Sequence, residues 1–210
     1  MMSDMHDYSI VGHQRSAIGR YLGIAAFVLP GIITAAINYF VEFLPTGWAG
    51  LAGFTISSSL LYLILHWFFN NLIWKIKCLE SVLGFPDLSG TWCCEGQTLD
   101  FENKVLYEWP AEIVITQTWE KICIALKAKE SRSVSQTATL RKKEGVGYLL
   151  AYSYHNEPNG KNHELQQHFG FCEFLFNPEL TEAEGRYFTS RGRNTFGSMK
   201  LTRVMPTNQG

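Results

Sequence analysis

The residues with the clearest chemical bias lie near the C-terminal end. Gly185–Gly210 carries five basic residues (Arg186, Arg191, Arg193, Lys200 and Arg203) and no acidic one. Within it, Tyr187-Phe188-Thr189-Ser190-Arg191 alternates as a strand, which places Tyr187, Thr189 and Arg191 on one face, with Arg193, Asn194 and Thr195 following in a turn. Guanidinium forks and hydroxyls suit phosphate oxygens, and aromatic rings stack on bases at about 1–3 kcal/mol per base. A run of this kind equally serves as a solvated basic edge. Further polar candidates are the alternating hydroxyls Ser131, Ser133, Ser135, Thr137 and Thr139, a continuous row facing either a polar lumen or solvent. Gln117 and Trp119 share a strand face, as do Tyr152 and Tyr154, and His168 sits in a strand where it reads as a core residue or a ligand contact.

Other chemistries find no support. The six histidines have no metal-ligand spacing, and His163 and His168 point opposite ways in strand register. The chain lacks G-x-S-x-G, a P-loop, H-E-x-x-H and a dinucleotide-binding glycine fingerprint. Cys78, Cys93, Cys94, Cys123 and Cys172 are odd in number and show no C-x-x-C pair, so neither a zinc site nor a disulfide framework is indicated. The expectation is a non-enzymatic binding protein without metal or cofactor.

From Leu88 onward the hydrophobic period is 2, with runs of Val, Ile, Thr, Tyr and Phe broken by turn signals such as Glu144-Gly145, Asn156-Glu157-Pro158-Asn159-Gly160 and Asn177-Pro178. Eight strands are predicted: Gly90–Gly96, Trp109–Trp119, Lys121–Lys129, Val134–Lys142, Gly147–His155, Glu164–Phe174, Gly185–Arg191 and Phe196–Arg203. Eight short antiparallel strands without a helix suit an all-β, up-and-down barrel, which encloses room for side chains or one small ligand.

Ahead of this region, Tyr21 to Phe69 spans 49 residues with a single formal charge, Glu42, whereas the 141 residues that follow carry 16 basic and 16 acidic groups. A bilayer core needs about 20 apolar helical residues. Tyr21–Phe43 and Trp48–Phe69 each supply them, separated by Leu44-Pro45-Thr46-Gly47, so a two-helix transmembrane hairpin is predicted. Arg15 and Arg20 precede the first span and Lys75 and Lys77 follow the second, which places both termini in the cytoplasm. Ala49, Gly53 and Ser57 recur every fourth residue and predict close helix packing, within the hairpin or between protomers. The domain boundaries are a tail at 1–20, the hairpin at 21–69, a connector at 70–87 and a ligand-sensing barrel at 88–205.

The order of these pieces resembles a known family. A two-span hairpin is followed by Leu88-Ser89-Gly90-Thr91-Trp92, Ile115-Thr116-Gln117-Thr118-Trp119, a Ser-rich strand, Tyr152-Ser153-Tyr154 and His168-Phe169-Gly170. Gly185-Arg186-Tyr187-Phe188-Thr189-Ser190-Arg191 and Gly197-Ser198-Met199 complete the set. This arrangement is similar to the CD-NTase-associated two-transmembrane, β-strand-rich effectors of bacterial cyclic-oligonucleotide anti-phage systems (CBASS). The resemblance implies a barrel that binds a cyclic dinucleotide made by a cognate CD-NTase, homo-oligomerisation, and disruption of the bacterial inner membrane, with no DNA or RNA polymer as partner. It implies that Arg191 and Arg193 pair with phosphates, that Tyr187, Trp119 and Tyr152 stack or wall the pocket, and that Ser133, Thr189, Asn194 and His168 hydrogen-bond the ligand. The alternative is a membrane-tethered, lipocalin-like binder of an apolar ligand, with Ile113, Ile115, Leu149 and Phe169 lining the lumen.

Overall fold

The computed structural model describes residues 4–12, 15–41, 57–84, 86–158, 167–190 and 194–205. Two compact units are present, Met1–Gly12 with Glu80–Gly210, and His13–Leu79.

In the second unit, α1 (Arg15–Val41) is long and apolar enough to cross a membrane, with a mean hydropathy of 1.8 in its most apolar window. It begins six residues before the predicted span and takes in Arg15 and Arg20 as helical residues. Helix α2 (Ser58–Asn71) covers the later part of the second predicted span, and at fourteen residues its described portion is shorter than a bilayer requires. The turn and the start of that span lie outside the described residues, as do Ala49 and Gly53. Ser57 is described, and it caps α2: its Oγ accepts from the Leu60 N–H at 3.5 Å. Among the described residues of α1, Ala26 is buried. A 3-10 turn (Ile73–Lys75) and α3 (Lys77–Leu83) follow.

The strand-rich unit contains β1 (His6–Val11), β2 (Gly90–Leu99), β3 (Val105–Gln117), β4 (Lys121–Ala128), β5 (Ser131–Lys143), β6 (Gly147–Pro158), β7 (His168–Phe176), β8 (Glu182–Thr189) and β9 (Phe196–Arg203). Strands β2 to β9 run up and down, each antiparallel to the next, and β9 returns to pair with β2 from Trp92↔Arg203 to Leu99↔Phe196, closing the sheet. These eight correspond to the eight expected from the alternation of apolar and polar residues. Burial alternates strictly along β7, as that pattern requires.

The ninth strand, β1, falls in the stretch read from sequence as a tail. Strands β4 and β5 pair directly only at Ala125–Lys127 with Arg132–Val134, and β1 fills the gap beyond. It pairs antiparallel with β4 at His6↔Ile122 and Asp7↔Lys121, and parallel with β5 from Tyr8↔Ala138 to Val11↔Arg141. The gap opens at a β-bulge between Ser135 and Thr137. One extra residue, Gln136, inverts the side-chain phase of β5 there. The predicted hydroxyl row is therefore split: Ser133 and Ser135 are buried, whereas Thr137 is exposed and bonds Ser153 on the outside at 2.8 Å.

Turn chemistry fixes the ends of the meander. Asp100 Oδ1 accepts from the Glu102 and Lys104 amides, and Asn177 Oδ1 accepts from those of Thr181 and Glu182.

Candidate functional site

The lumen is divided along its axis. At the end where β2 starts, it is filled by Leu88, Trp92, Ile113, Ile115, Ile122, Ile124, Leu140, Leu150, Phe174 and Phe176, each fully or almost fully buried. Trp92 meets Phe176 edge-on at 5.0 Å and donates its indole N–H to the Leu88 carbonyl at 3.2 Å. Arg203 lies over the outer face of that indole at 5.2 Å and donates to the carbonyls of Ser89 and Leu180. This end is a packed plug with the stability role of a core.

The other end, where β2 finishes and β3 begins, is a mouth. It holds a cavity of about 330 Å³ lined by Trp109, Ser133, Tyr152, Tyr154, Asn156, His168, Tyr187, Thr189 and Thr195, among others. Glycine makes room for its rings. A Cβ on Gly96 would collide with the Trp109 ring, and one on Gly170 with the Tyr154 ring, so both rings lie across an adjacent strand where any larger residue would exclude them. One wall is internally satisfied: Thr98 and Tyr187 hydroxyls are 2.7 Å apart, and Trp109 Nε1 donates to Thr98 Oγ1 at 3.2 Å. The opposite wall is a cross-strand row, Ser133 beside Asn156 and Asn156 beside His168.

Between plug and mouth lie Cys94, Cys172 and Tyr152, all buried. Desolvation dominates there: it pushes the Cys94 thiol up to about 12 and raises Cys172 and Tyr152 as well. Thiols held protonated in this way are poor nucleophiles. Among the described residues no group of His, Cys, Asp or Glu is arranged to hold a metal ion.

Five of the nine residues predicted to contact ligand, Tyr187, Thr189, Tyr152, Ser133 and His168, line this one cavity. Arg191 and Arg193 lie outside the described residues. Trp119 is displaced from the mouth. It sits at 4% exposure in the turn joining β3 to β4, at the plugged end, where its ring helps close the barrel. Asn194 is exposed and does not line the cavity; its φ of +43° is a left-handed conformation that asparagine tolerates. Its neighbour Thr195 lines the cavity instead, and its backbone N–H donates to Thr189 Oγ1 at 2.9 Å, which closes the turn between β8 and β9. Of the apolar set, Ile113 and Ile115 are in the plug, whereas Phe169 is exposed on the outer wall, stacked on His155 at 4.9 Å. Sequence reasoning missed Thr98, Trp109 and Asn156 as cavity residues. Asn156 was signalled by its spacing, two and four residues after Tyr154 and Tyr152 on the same strand face.

A closed sheet with one end packed solid and the other open as a polar, aromatic cavity defines a receptor for a small polar ligand, here on a chain that also bears an apolar helix of membrane length. The comparisons with known proteins agree with that class. A family profile described as the Cap15 cyclic dinucleotide receptor domain matches residues 83–203, and one described as the Cap15 TM helices matches residues 16–75. The chain belongs to the Cap15 family, CBASS-associated proteins that combine a cyclic dinucleotide receptor domain with transmembrane helices. It is similar to CD-NTase-associated protein 15 of Yersinia aleksiciae, at 35% identity over 205 residues, which is 95% of this chain and 97% of that protein.

Proposed function

We propose that this chain is an anti-phage effector whose barrel binds a cyclic dinucleotide in the mouth cavity and, when loaded, oligomerises and disrupts the inner membrane of the infected cell. The carrying observation is the cavity itself: a mouth lined by tyrosines, a tryptophan and hydroxyl, amide and imidazole groups, in a domain matched by a cyclic dinucleotide receptor profile. In this reading the barrel is an eight-stranded, lipocalin-like meander clasped by β1, and residues 21–69 form a two-helix hairpin with both termini cytoplasmic. Tyr187, Tyr152 and Trp109 wall or stack on the bases, and His168, Ser133 and Thr189 hydrogen-bond the ligand. Arg191 and Arg193 meet the phosphates, since Lys129 is the one cationic side chain among the described residues lining the cavity. Catalysis has no part.

The apolar-carrier alternative has little room, because the apolar half of the lumen is occupied by the chain's own side chains. Signalling then follows as a population shift. Moving an effector from 1:99 to 99:1 active requires about 5.5 kcal/mol of differential ligand binding, supplied cooperatively if each protomer of an oligomer carries one site. Replacing Gly53 or Ser57 with Leu should abolish toxicity while sparing ligand binding; retained toxicity in both variants argues against that helix face.

The test is thermal melting of the full chain in detergent micelles against a panel of cyclic dinucleotides, with linear dinucleotides and a fatty acid as controls. The full chain is needed because a fragment starting after the membrane segment loses β1 from the barrel. A ligand at a hundred times its Kd stabilises the fold by about 2.7 kcal/mol. A shift with a cyclic dinucleotide, weakened by Arg191→Ala, supports the reading; a shift with the fatty acid alone overturns it.

A further inference from the structure

The strand-rich unit buries six polar side chains among the described residues: Thr98, Gln117, Ser133, Ser135, Asn156 and His168. The fold provides partners for four of them. Thr98 bonds Tyr187. Gln117 accepts from the Leu88 N–H and donates to the Tyr8 hydroxyl and the Pro86 carbonyl. Ser135 accepts from the Ile124 N–H and meets His6 Nε2 at 2.8 Å. His168 also interacts within the chain. Asn156 and Ser133 are different. At 5% and 7% exposure they line the cavity, and neither side chain has a hydrogen-bond partner among the described residues. Both residues are largely buried while their polar atoms stay open to the cavity, so their hydrogen-bonding capacity is turned toward whatever enters it.

The chemistry of the amide says which part of the ligand that is. A carboxamide presents a donor and an acceptor side by side in one plane. A phosphate oxygen only accepts and would use half of it, leaving the amide oxygen buried and unpaired. A nucleobase edge, with N–H and acceptor atoms adjacent, uses both halves at once. Ser133 stands beside Asn156 in the cross-strand row, about 5 Å away, within reach of a third contact on the same base. The aromatic wall of Trp109 and Tyr187, whose polar atoms already bond to Thr98, offers ring surface rather than edge contacts.

We propose that Asn156, with Ser133 beside it, is the base-reading residue of the receptor: its carboxamide pairs in bidentate fashion with the edge of one base of the cyclic dinucleotide and sets which base is preferred. This rests on the cavity being the cyclic dinucleotide site. It assigns base discrimination to the wall formed by β5 and β6, apart from the arginine-bearing segment after β8, which would serve any cyclic dinucleotide alike.

The experiment uses the full chain in detergent micelles, with the unliganded melting temperature and the affinities for cyclic di-adenylate, di-guanylate, di-uridylate and mixed-base forms measured for the native chain, Asn156→Ala and Ser133→Ala. Asn156→Ala should leave the unliganded melting temperature unchanged or raised, because the amide it removes has no partner to lose. It should weaken the best ligand by roughly 5- to 150-fold and weaken the poorer ligands less, so that the spread of affinities narrows. Ser133→Ala should do the same to a smaller degree. An equal loss across every ligand, unchanged affinities, or a fall in the unliganded melting temperature each overturns the assignment. A native chain that binds no cyclic dinucleotide instead overturns the reading of the cavity itself.

Discussion

Tyr8→Phe isolates the contribution of the N-terminal strand. Among the six residues of β1, Tyr8 alone is buried, and its hydroxyl does two things. It donates to the Thr118 carbonyl at 3.2 Å and accepts from Gln117 Nε2 at 3.0 Å. Phenylalanine keeps the ring and its packing but removes both bonds. Gln117 is 2% exposed, so one of its amide protons then faces apolar surroundings, and the Thr118 carbonyl loses a donor. Leaving buried groups unpaired costs about 1–3 kcal/mol. In a unit of this size 1 kcal/mol moves Tm by about 3–5 °C, so a fall of roughly 3–15 °C is expected. The assay is thermal unfolding of the full chain followed by the tryptophan signal, with Ser9→Ala as the control. Ser9 bonds Thr139 on the exposed side at 2.9 Å, and its loss should cost no more than about 0.5 kcal/mol. If Tyr8→Phe melts with the native chain, β1 is not a stabilising part of the barrel, and the claim that a fragment without it is compromised fails too.

Gly170→Ala should push the Tyr154 ring from its place in the cavity wall, lowering stability by about 1–3 kcal/mol and weakening cyclic dinucleotide binding in the same titration. Trp92→Ala should cost about 3–5 kcal/mol in denaturant unfolding while leaving the mouth's geometry in place, because Trp92 belongs to the plug. Stability should fall on the alkaline side: Cys94 and Cys172 are held protonated by burial, so their contribution is complete below about pH 9 and is lost as pH rises toward about 12 for Cys94. Each thiol adds a slope of about 1.4 kcal/mol per pH unit, and Cys172→Ala should flatten the profile measured by chemical denaturation. At neutral pH a thiol reagent should modify the exposed Cys78 and Cys93 and leave Cys94 and Cys172 untouched until the fold opens, as mass spectrometry of the labelled chain will show.

The meander was legible because period-2 burial is written residue by residue into strands such as β7 and β9. β1 was not, since a strand that buries only Tyr8 leaves no alternation to read and is defined by the gap it fills. That gap depends on the bulge at Gln136, a backbone event with no sequence mark in a run of serines and threonines. The same bulge turned Thr137 and Thr139 outward although their spacing continued the inward row. Trp119 shows a different limit. Burial of an aromatic ring is foreseeable from its type, but which end of a barrel it closes depends on strand register. Asn156 was obscured by its neighbours: Asn156-Glu157-Pro158-Asn159-Gly160 has the composition of a turn, yet β6 runs through Pro158 and carries the amide into the lumen.

The division of the lumen also bears on how such a receptor can evolve. The plug supplies the dispersion and apolar burial that hold the barrel closed, with Trp92, Phe174, Phe176 and the Arg203 cap concentrated at one end. The mouth can therefore turn the side chains of Asn156 and Ser133 to the cavity instead of to partners within the fold, because the plug carries the packing. On the proposed assignment, substitutions at Asn156 and Ser133 alter what is bound with little effect on stability, and substitutions in the plug do the reverse. A barrel filled along its whole length would couple the two, because any change in the lining would also be a change in the core. Under the proposed assignment, separating them lets ligand preference drift at positions such as 156 while the packed plug stays the same.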